Sequence, residues 1–155
     1  MVGKIDAQLK TLDIDLPNAP APIGSYVPYV VTGNLVFISG QIPFKDGELT
    51  YVGTVGTDLS VEDGQAAARQ CALNILAQIK AACGGNLDKV VRCVRVGGYV
   101  NATPEFTQHP IVMNGASDLM VAVFGENGRH ARFAVGAGEL PAGAAVEVEA
   151  VFEIG

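Results

Sequence analysis

The sequence predicts a two-layer α+β domain: a mixed β-sheet with two helices on one face. Two observations carry this. A long amphipathic segment ends at Gly84-Gly85, and a last segment alternates Val146, Val148, Ala150, Phe152 and Ile154 with Glu147, Glu149 and Glu153. The first has helical period, the second the period of a strand with one buried face. Between and before them the chain reads strands, helix, strand, helix, two strands.

In chain order, Val2 to Leu12 reads as a short, weakly amphipathic helix. Leu16-Pro17-Asn18-Ala19-Pro20-Ala21-Pro22 then excludes regular structure, because each proline removes a donor and restricts its neighbour. This segment reads equally as an arm on the surface or as a loose tail. Val27 to Val31 and Leu35 to Ile38 flank Gly33-Asn34 and form a hairpin. A second turn falls at Lys45-Asp46-Gly47, with Leu49 to Val55 as its pairing partner. The principal helix spans Val61 to Cys83, capped by Ser60 and Asp63. Ala68, Cys71, Ala72, Ile75, Ile79 and Ala82 trace its apolar face, and Gln70, Asn74 and Gln78 a polar one. Val90 to Val100 is a β-branched strand, and Ile111 to Phe124 is a second helix closed by Gly125 and Gly128. His130 to Ala137 and Ala144 to Ile154 are the final strands. The sheet face away from the helices is expected to offer Ala134, Gly136, Ala145 and Val151, which suggests packing against another subunit.

At 155 residues, 49% hydrophobic and 17% charged, the chain is one globular domain, neither disordered nor fibrous. Ten Lys+Arg against 16 Asp+Glu give a net charge of −6, which argues against nucleic acid as a partner. No apolar run is long enough for a membrane span, and Met1 to Lys10 lacks the apolar core of a secretory leader. Cys71, Cys83 and Cys93 have no zinc or redox spacing; they read as core thiols of a reducing cytoplasm. His109 and His130 lack the companions a metal site needs. Phosphate loops, serine elbows and zinc-protease motifs are absent, and the triplet Asn101-Ala102-Thr103 is incidental.

The informative charges lie inside strands. Arg132 stands among Ala131, Phe133, Ala134, Val135 and Gly136, with Glu147 expected in the neighbouring strand. An arginine among small residues leaves room for a small carboxylate. A structural Arg–Glu pair, or arginines snorkelling to the rim, are the other readings of the same residues.

Five segments resemble the RidA family, also called YjgF or the L-PSP endoribonuclease family. They are Ala21-Pro22-Ile23-Gly24-Ser25-Tyr26, Leu35 to Pro43 with its Ser39-Gly40-Gln41-Ile42-Pro43, the Asn114 region, Ala131 to Val135, and Leu140-Pro141 through Val146 to Ala150. They occur in family order. The chain is most similar to a longer branch, with an N-terminal extension, Asn114 to Leu119, and Gly128-Arg129-His130-Ala131-Arg132. The resemblance implies an extension over residues 1–22 and one RidA-like domain over 23–155. It also implies a chorismate-mutase-like fold, a homotrimer with an inner barrel of sheets, and a small-molecule cleft at each subunit interface. The implied activity is hydrolysis of reactive enamine/imine intermediates of the 2-aminoacrylate type to a 2-keto acid and ammonia, with no cofactor. Arg132 matches the arginine that clamps the substrate carboxylate, and Glu147 the residue that activates water. Tyr26, Ser39 and Asn114 match residues lining the cleft. A buried arginine near Glu147 is expected to keep that carboxylate ionised. Ala134 departs from the cysteine of many deaminase members, and Asn101 to Asn114 is longer than usual. These departures motivate a second reading, non-catalytic binding of a small carboxylate metabolite. Ribonuclease activity is a third, opposed by the acidic charge.

Overall fold

The computed structural model describes residues 2–155; Met1, the first residue of the expected extension, lies outside them. Its elements are α1 (Lys4–Thr11), β1 (Tyr29–Thr32), β2 (Leu35–Gln41), β3 (Phe44–Lys45), β4 (Glu48–Leu49), α2 (Val61–Ala82), β5 (Val90–Asn101), α3 (His109–Phe124), β6 (Ala131–Ala137) and β7 (Val146–Ile154). Five strands form one sheet in the order β1-β2-β7-β5-β6, and β3 and β4 form a separate short ribbon. Only β5 and β6 run parallel, so the sheet is mixed as expected. Two neighbours differ from expectation. β6 is not beside β7, because β5 lies between them. Leu49 to Val55 is not a strand: only Glu48–Leu49 pairs with β3, and Val52 and Val55 make isolated bridges.

Local chemistry accounts for the principal helix. Ser60 Oγ accepts from the Asp63 N–H at 3.0 Å, and the Asp63 carboxylate accepts from the Ser60 N–H at 3.1 Å. This reciprocal cap satisfies two amide donors that a helix start leaves open. At the other end Gly84, at φ 65°, donates to Ala81 O, and Gly85 donates to Lys80 O. That pair of bonds is a Schellman motif, and it requires a left-handed residue where Gly84 stands.

The core lies between the helices and one sheet face. Ile75, Leu76 and Ile79 of α2, Met113 and Met120 of α3, and Phe152 of β7 are fully buried. The three thiols belong to this core, and burial pushes Cys93 up to about 12. The Gln70, Asn74 and Gln78 stripe is no solvent face. Gln70 and Asn74 donate to Phe44 O, Asn74 also to Ile42 O, and Gln78 to Pro20 O at 2.7 Å. Polar side chains on α2 thus satisfy carbonyls of the irregular segments laid over it, and the proline-rich arm is tied down.

The expected inventory of the open sheet face needs correction. Ala134 packs against the core, Gly136 faces His109 of α3, and Ala145 is buried in the core cluster. Of the residues expected there, Val151 does lie on that face, paired with Phe37 and Arg95. Val30, Phe37, Tyr99 and Val135 expose much of their apolar surface around it. Glu149 is held there by Arg95 at 2.7 Å. The glycosylation-like triplet is also accounted for: Asn101 is buried, its amide donating to Ala144 O.

Two separated halves of a candidate site

Tyr26, Ser39 and Glu147 come together. They share a cleft of about 660 Å³ with the arm residues Pro20 to Ile23 and with Pro141. Glu147 projects from β7 onto the open sheet face, paired with Tyr99. Its carboxylate lies directly over Gly40, where any Cβ would collide with it. Ser39-Gly40-Gln41 spans an irregularity in the pairing of β2 with β7, which lets the strand bend around the carboxylate. Ser39 Oγ donates to Val27 O at 2.8 Å, and Tyr26 Oη accepts from the Ile23 N–H at 3.2 Å. Both hydroxyls are thereby oriented at the cleft wall.

Arg132 and Asn114 are elsewhere. Arg132 pairs with Val96, whereas Glu147 pairs with Tyr99 on the same strand β5. An odd spacing along a strand sends side chains to opposite faces. Arg132 therefore points to the helix side at the sheet edge, two strands from Glu147. The expected Arg132–Glu147 pair does not form within one chain. Nor is Glu147 kept ionised by an arginine. Partial burial raises its pKa above the ordinary value, and the Glu149 charge raises it further.

Helix α3 builds the Arg132 half. Arg132 Nη1 donates to Asn114 Oδ1 at 2.9 Å and to Ser117 Oγ at 3.1 Å, and Nη2 donates to Pro110 O at 3.3 Å. Positions 110, 114 and 117 share one helical face. Two glycines allow α3 close enough. A Cβ on Gly115 would strike the Gln65 carbonyl of α2, and one on Gly98 would strike Met113. All three acceptors on Arg132 are neutral, and no carboxylate lies within ion-pair distance among the described residues. A guanidinium has five N–H donors, so Nε–H and one Nη2 hydrogen keep no protein acceptor among the described residues. The result is an oriented cation with an uncompensated charge and free donors.

Ser117 and the Pro110 carbonyl, which bond to Arg132, and His130, which bonds to Ser117, belong to this half-site and were not singled out from sequence as its members. Their spacing contained the signal: Ser117 follows Asn114 by one helical turn, and His130 precedes Arg132 by two residues. His130 Nε2 lies 2.9 Å from Ser117 Oγ, and Nδ1 lies 2.7 Å from Gly128 O. Gly40 lay within the matched run, but its contact with Glu147 spans strands distant in sequence. Among the described residues no group of three or more His, Cys, Asp or Glu side chains converges as a metal site would, and no helix is long and apolar enough to cross a membrane.

A two-layer α+β domain with an open sheet face and these split polar residues defines a chorismate-mutase-like protein. The family model described as "YjgF/chorismate_mutase-like, putative endoribonuclease" matches residues 6–152, and the chain belongs to this YjgF/RidA family. It is 50% identical over 153 residues to Protein TCP17 of Trypanosoma cruzi, covering 98% of this chain and 95% of that one. A 2-iminobutanoate/2-iminopropanoate deaminase of Dermatophagoides farinae is 31% identical over 143 residues, 91% of this chain and 94% of its own. A crystal structure of a protein of unknown function from Agrobacterium tumefaciens superposes with a TM-score of 0.91 at 46% identity, covering 97% of this chain and 92% of that chain.

Proposed function

We propose that the protein hydrolyses small enamine/imine carboxylates of the 2-aminoacrylate type to a 2-keto acid and ammonia, without a cofactor. The observation that carries this reading is the Arg132 guanidinium, held by three neutral acceptors, with free donors and no anionic partner among the described residues. Such a group suits a substrate carboxylate bidentately. The relative named as an imine deaminase supplies the reaction class.

The chemistry asks little of the protein beyond placement. The enamine first tautomerises to the imine, whose carbon is already electrophilic. The imine nitrogen takes a proton from solvent, and water adds to the carbon while giving one proton to Glu147, so a carbinolamine forms. Glu147 returns that proton to the nitrogen, which leaves as ammonia while the carbinolamine hydroxyl releases its proton to solvent and becomes the keto oxygen. The raised pKa of Glu147 suits a group that accepts a proton and returns it. Orientation of the carboxylate supplies the proximity advantage.

In this reading the two halves meet between subunits. Arg132 and Asn114 of one copy face Tyr26, Ser39 and Glu147 of the next, in a homotrimer whose open sheet faces pack together. The exposed Val30, Phe37, Tyr99 and Val135 support burial of that face. Buried, unpaired thiols fit a cytoplasmic location.

Ammonia release from freshly generated 2-aminoacrylate tests the proposal. Wild type accelerates it, and Arg132→Ala loses about 10–100-fold in kcat/KM, the worth of hydrogen bonds to a charged group. Equal activity in the two removes Arg132 from the mechanism. A second reading, binding of a carboxylate metabolite without turnover, draws on the separation of Arg132 from Glu147 within one chain. Calorimetric binding of 2-ketobutyrate by a wild type that accelerates nothing favours it.

A further inference from the structure

Arg132 is the last member of a hydrogen-bonded chain whose direction is settled by elementary donor chemistry. Gly128 O can only accept, so His130 Nδ1, 2.7 Å away, carries a proton. In a neutral ring Nε2 is then an acceptor, so the Ser117 hydroxyl donates to it across 2.9 Å. Having given its hydrogen to the ring, Ser117 Oγ presents lone pairs to Arg132 Nη1 at 3.1 Å. The order of donation is Arg132 to Ser117 to His130 Nε2, with His130 Nδ1 donating separately to Gly128. A neutral ring gives the Ser117 hydrogen an acceptor; a charged ring would keep the contact only by reversing it, leaving that hydrogen without its partner.

We propose that Ser117 and His130 are positioning residues for the carboxylate clamp: neutral His130 orients the Ser117 hydroxyl, and Ser117 with Asn114 aims the free edge of Arg132. The proposal rests on the deaminase reading for its substrate, but the proton arrangement stands without it.

The surroundings favour the neutral ring. Burial lowers the His130 pKa, the Gly128 bond works in the opposite direction, and the Arg132 charge lowers it further. No carboxylate lies within ion-pair distance of the ring among the described residues. Of the other charged groups near it in the fold, Arg129 and Glu126 pair with each other at 3.2 Å, and Arg92 of β5 donates to Arg129 O. Asp118 follows Ser117 on α3. Protonation would turn Nε2 into a donor aimed at Ser117. The hydroxyl would have to turn away, and a second cation would stand beside Arg132.

Two measurements test this. Long-range nitrogen NMR of the histidine rings in the unliganded protein, with His130→Phe for assignment, reads the tautomer directly. The expected result is a neutral Nδ1–H ring for His130 at pH 7, titrating below the ordinary histidine value of about 6.5 and moving upward in Arg132→Ala. An Nε2–H tautomer or a charged ring at pH 7 overturns the proposal, whatever the protein does to imines. In the ammonia-release assay, Ser117→Ala and His130→Phe each raise KM about tenfold with kcat little changed. His130→Gln, which keeps an acceptor for the Ser117 hydroxyl, holds KM near wild type and removes the rise in KM toward acid pH. The acid limb that Glu147 imposes on kcat remains in that variant. Unchanged KM in folded Ser117→Ala, or equal losses in His130→Phe and His130→Gln, overturns the proposal. A wild type with no imine activity refutes the deaminase reading instead, and the NMR result still decides the proton arrangement.

Discussion

The Arg132 and Glu147 halves are built on one sheet by opposite strategies. Arg132 is fastened at the sheet edge by neutral acceptors from α3, so its position is set and its charge left open. Glu147 sits half-buried on the other face, over a glycine and beside a second carboxylate, so its charge is discouraged, and among the described residues no cation of the same chain pairs with it. Under the proposed function, one half would hold an anion and the other exchange a proton. Within a single chain the two stand apart. In that reading a second copy joins them.

Breaking the Glu147 half carries the largest expected effect. Glu147→Gln should lower kcat for imine hydrolysis by about 10²–10⁴-fold, the usual worth of a general base. Its stability should not fall. For a carboxyl whose folded pKa is raised, the native state binds the extra proton, so stability declines as pH rises from the unfolded value through the folded one. Removing that ionisation is worth on the order of 1 kcal/mol or less after solvent screening, seen as a level or slightly higher Tm at neutral pH. A drop of several degrees would show that Glu147 is structural.

Mixing sharpens the comparison most. Arg132→Ala and Glu147→Gln chains, each impaired alone, are co-expressed with separate tags and purified as mixed oligomers, and their activity is read above that of either variant by itself. If one copy supplies Arg132 and the next Glu147, about a quarter of the clefts in a random mixture are intact. Recovery near that fraction supports the shared cleft, and none refutes it.

A smaller effect is expected at Gly40. Gly40→Ala should displace the Glu147 carboxylate and cost kcat about tenfold or more, with little change in stability, because the atoms that must move are the end of a flexible side chain. Full activity would mean the carboxylate works from another position. The mildest change lies far from both halves. The exposed Asp88 carboxylate accepts from the Lys4 and Ile5 amides, which hold its pKa below the ordinary value. The stability it contributes is therefore present above the unfolded carboxyl pKa and lost as pH falls through the folded one. Asp88→Ala should speed hydrogen exchange across α1 and leave the imine activity within about twofold, since α1 bonds to α3 at Ala122, beyond the Asn114 and Ser117 turn that holds Arg132. Loss of activity would connect α1 to the site.

Most of the architecture was legible locally. The Ser60–Asp63 cap, the Gly84-Gly85 stop, the Gly33-Asn34 hairpin and the alternation of β7 each depend on residues within a few positions of one another. Where expectation failed, the deciding contact was distant in sequence. Leu49 to Val55 lost its strand because its partners come from residues 101–102 and 143–145. The Gln70, Asn74 and Gln78 stripe became a buried clamp because the arm and the Phe44 segment lie across it.

The same division holds at the site. The sequence alone supplied the candidate residues, since the motif segments contain Tyr26, Ser39, Asn114, Arg132 and Glu147, and strand alternation and helical spacing determined which way Asn114, Arg132 and Glu147 project. Only the tertiary structure decided which of them meet. By placing β5 between β6 and β7 it separated Arg132 from Glu147, and by seating α3 against Gly98 and Gly115 it delivered Asn114 and Ser117 to the guanidinium. Periodicity is a local property of the backbone, whereas strand order and helix approach are settled by packing among residues far apart in the chain.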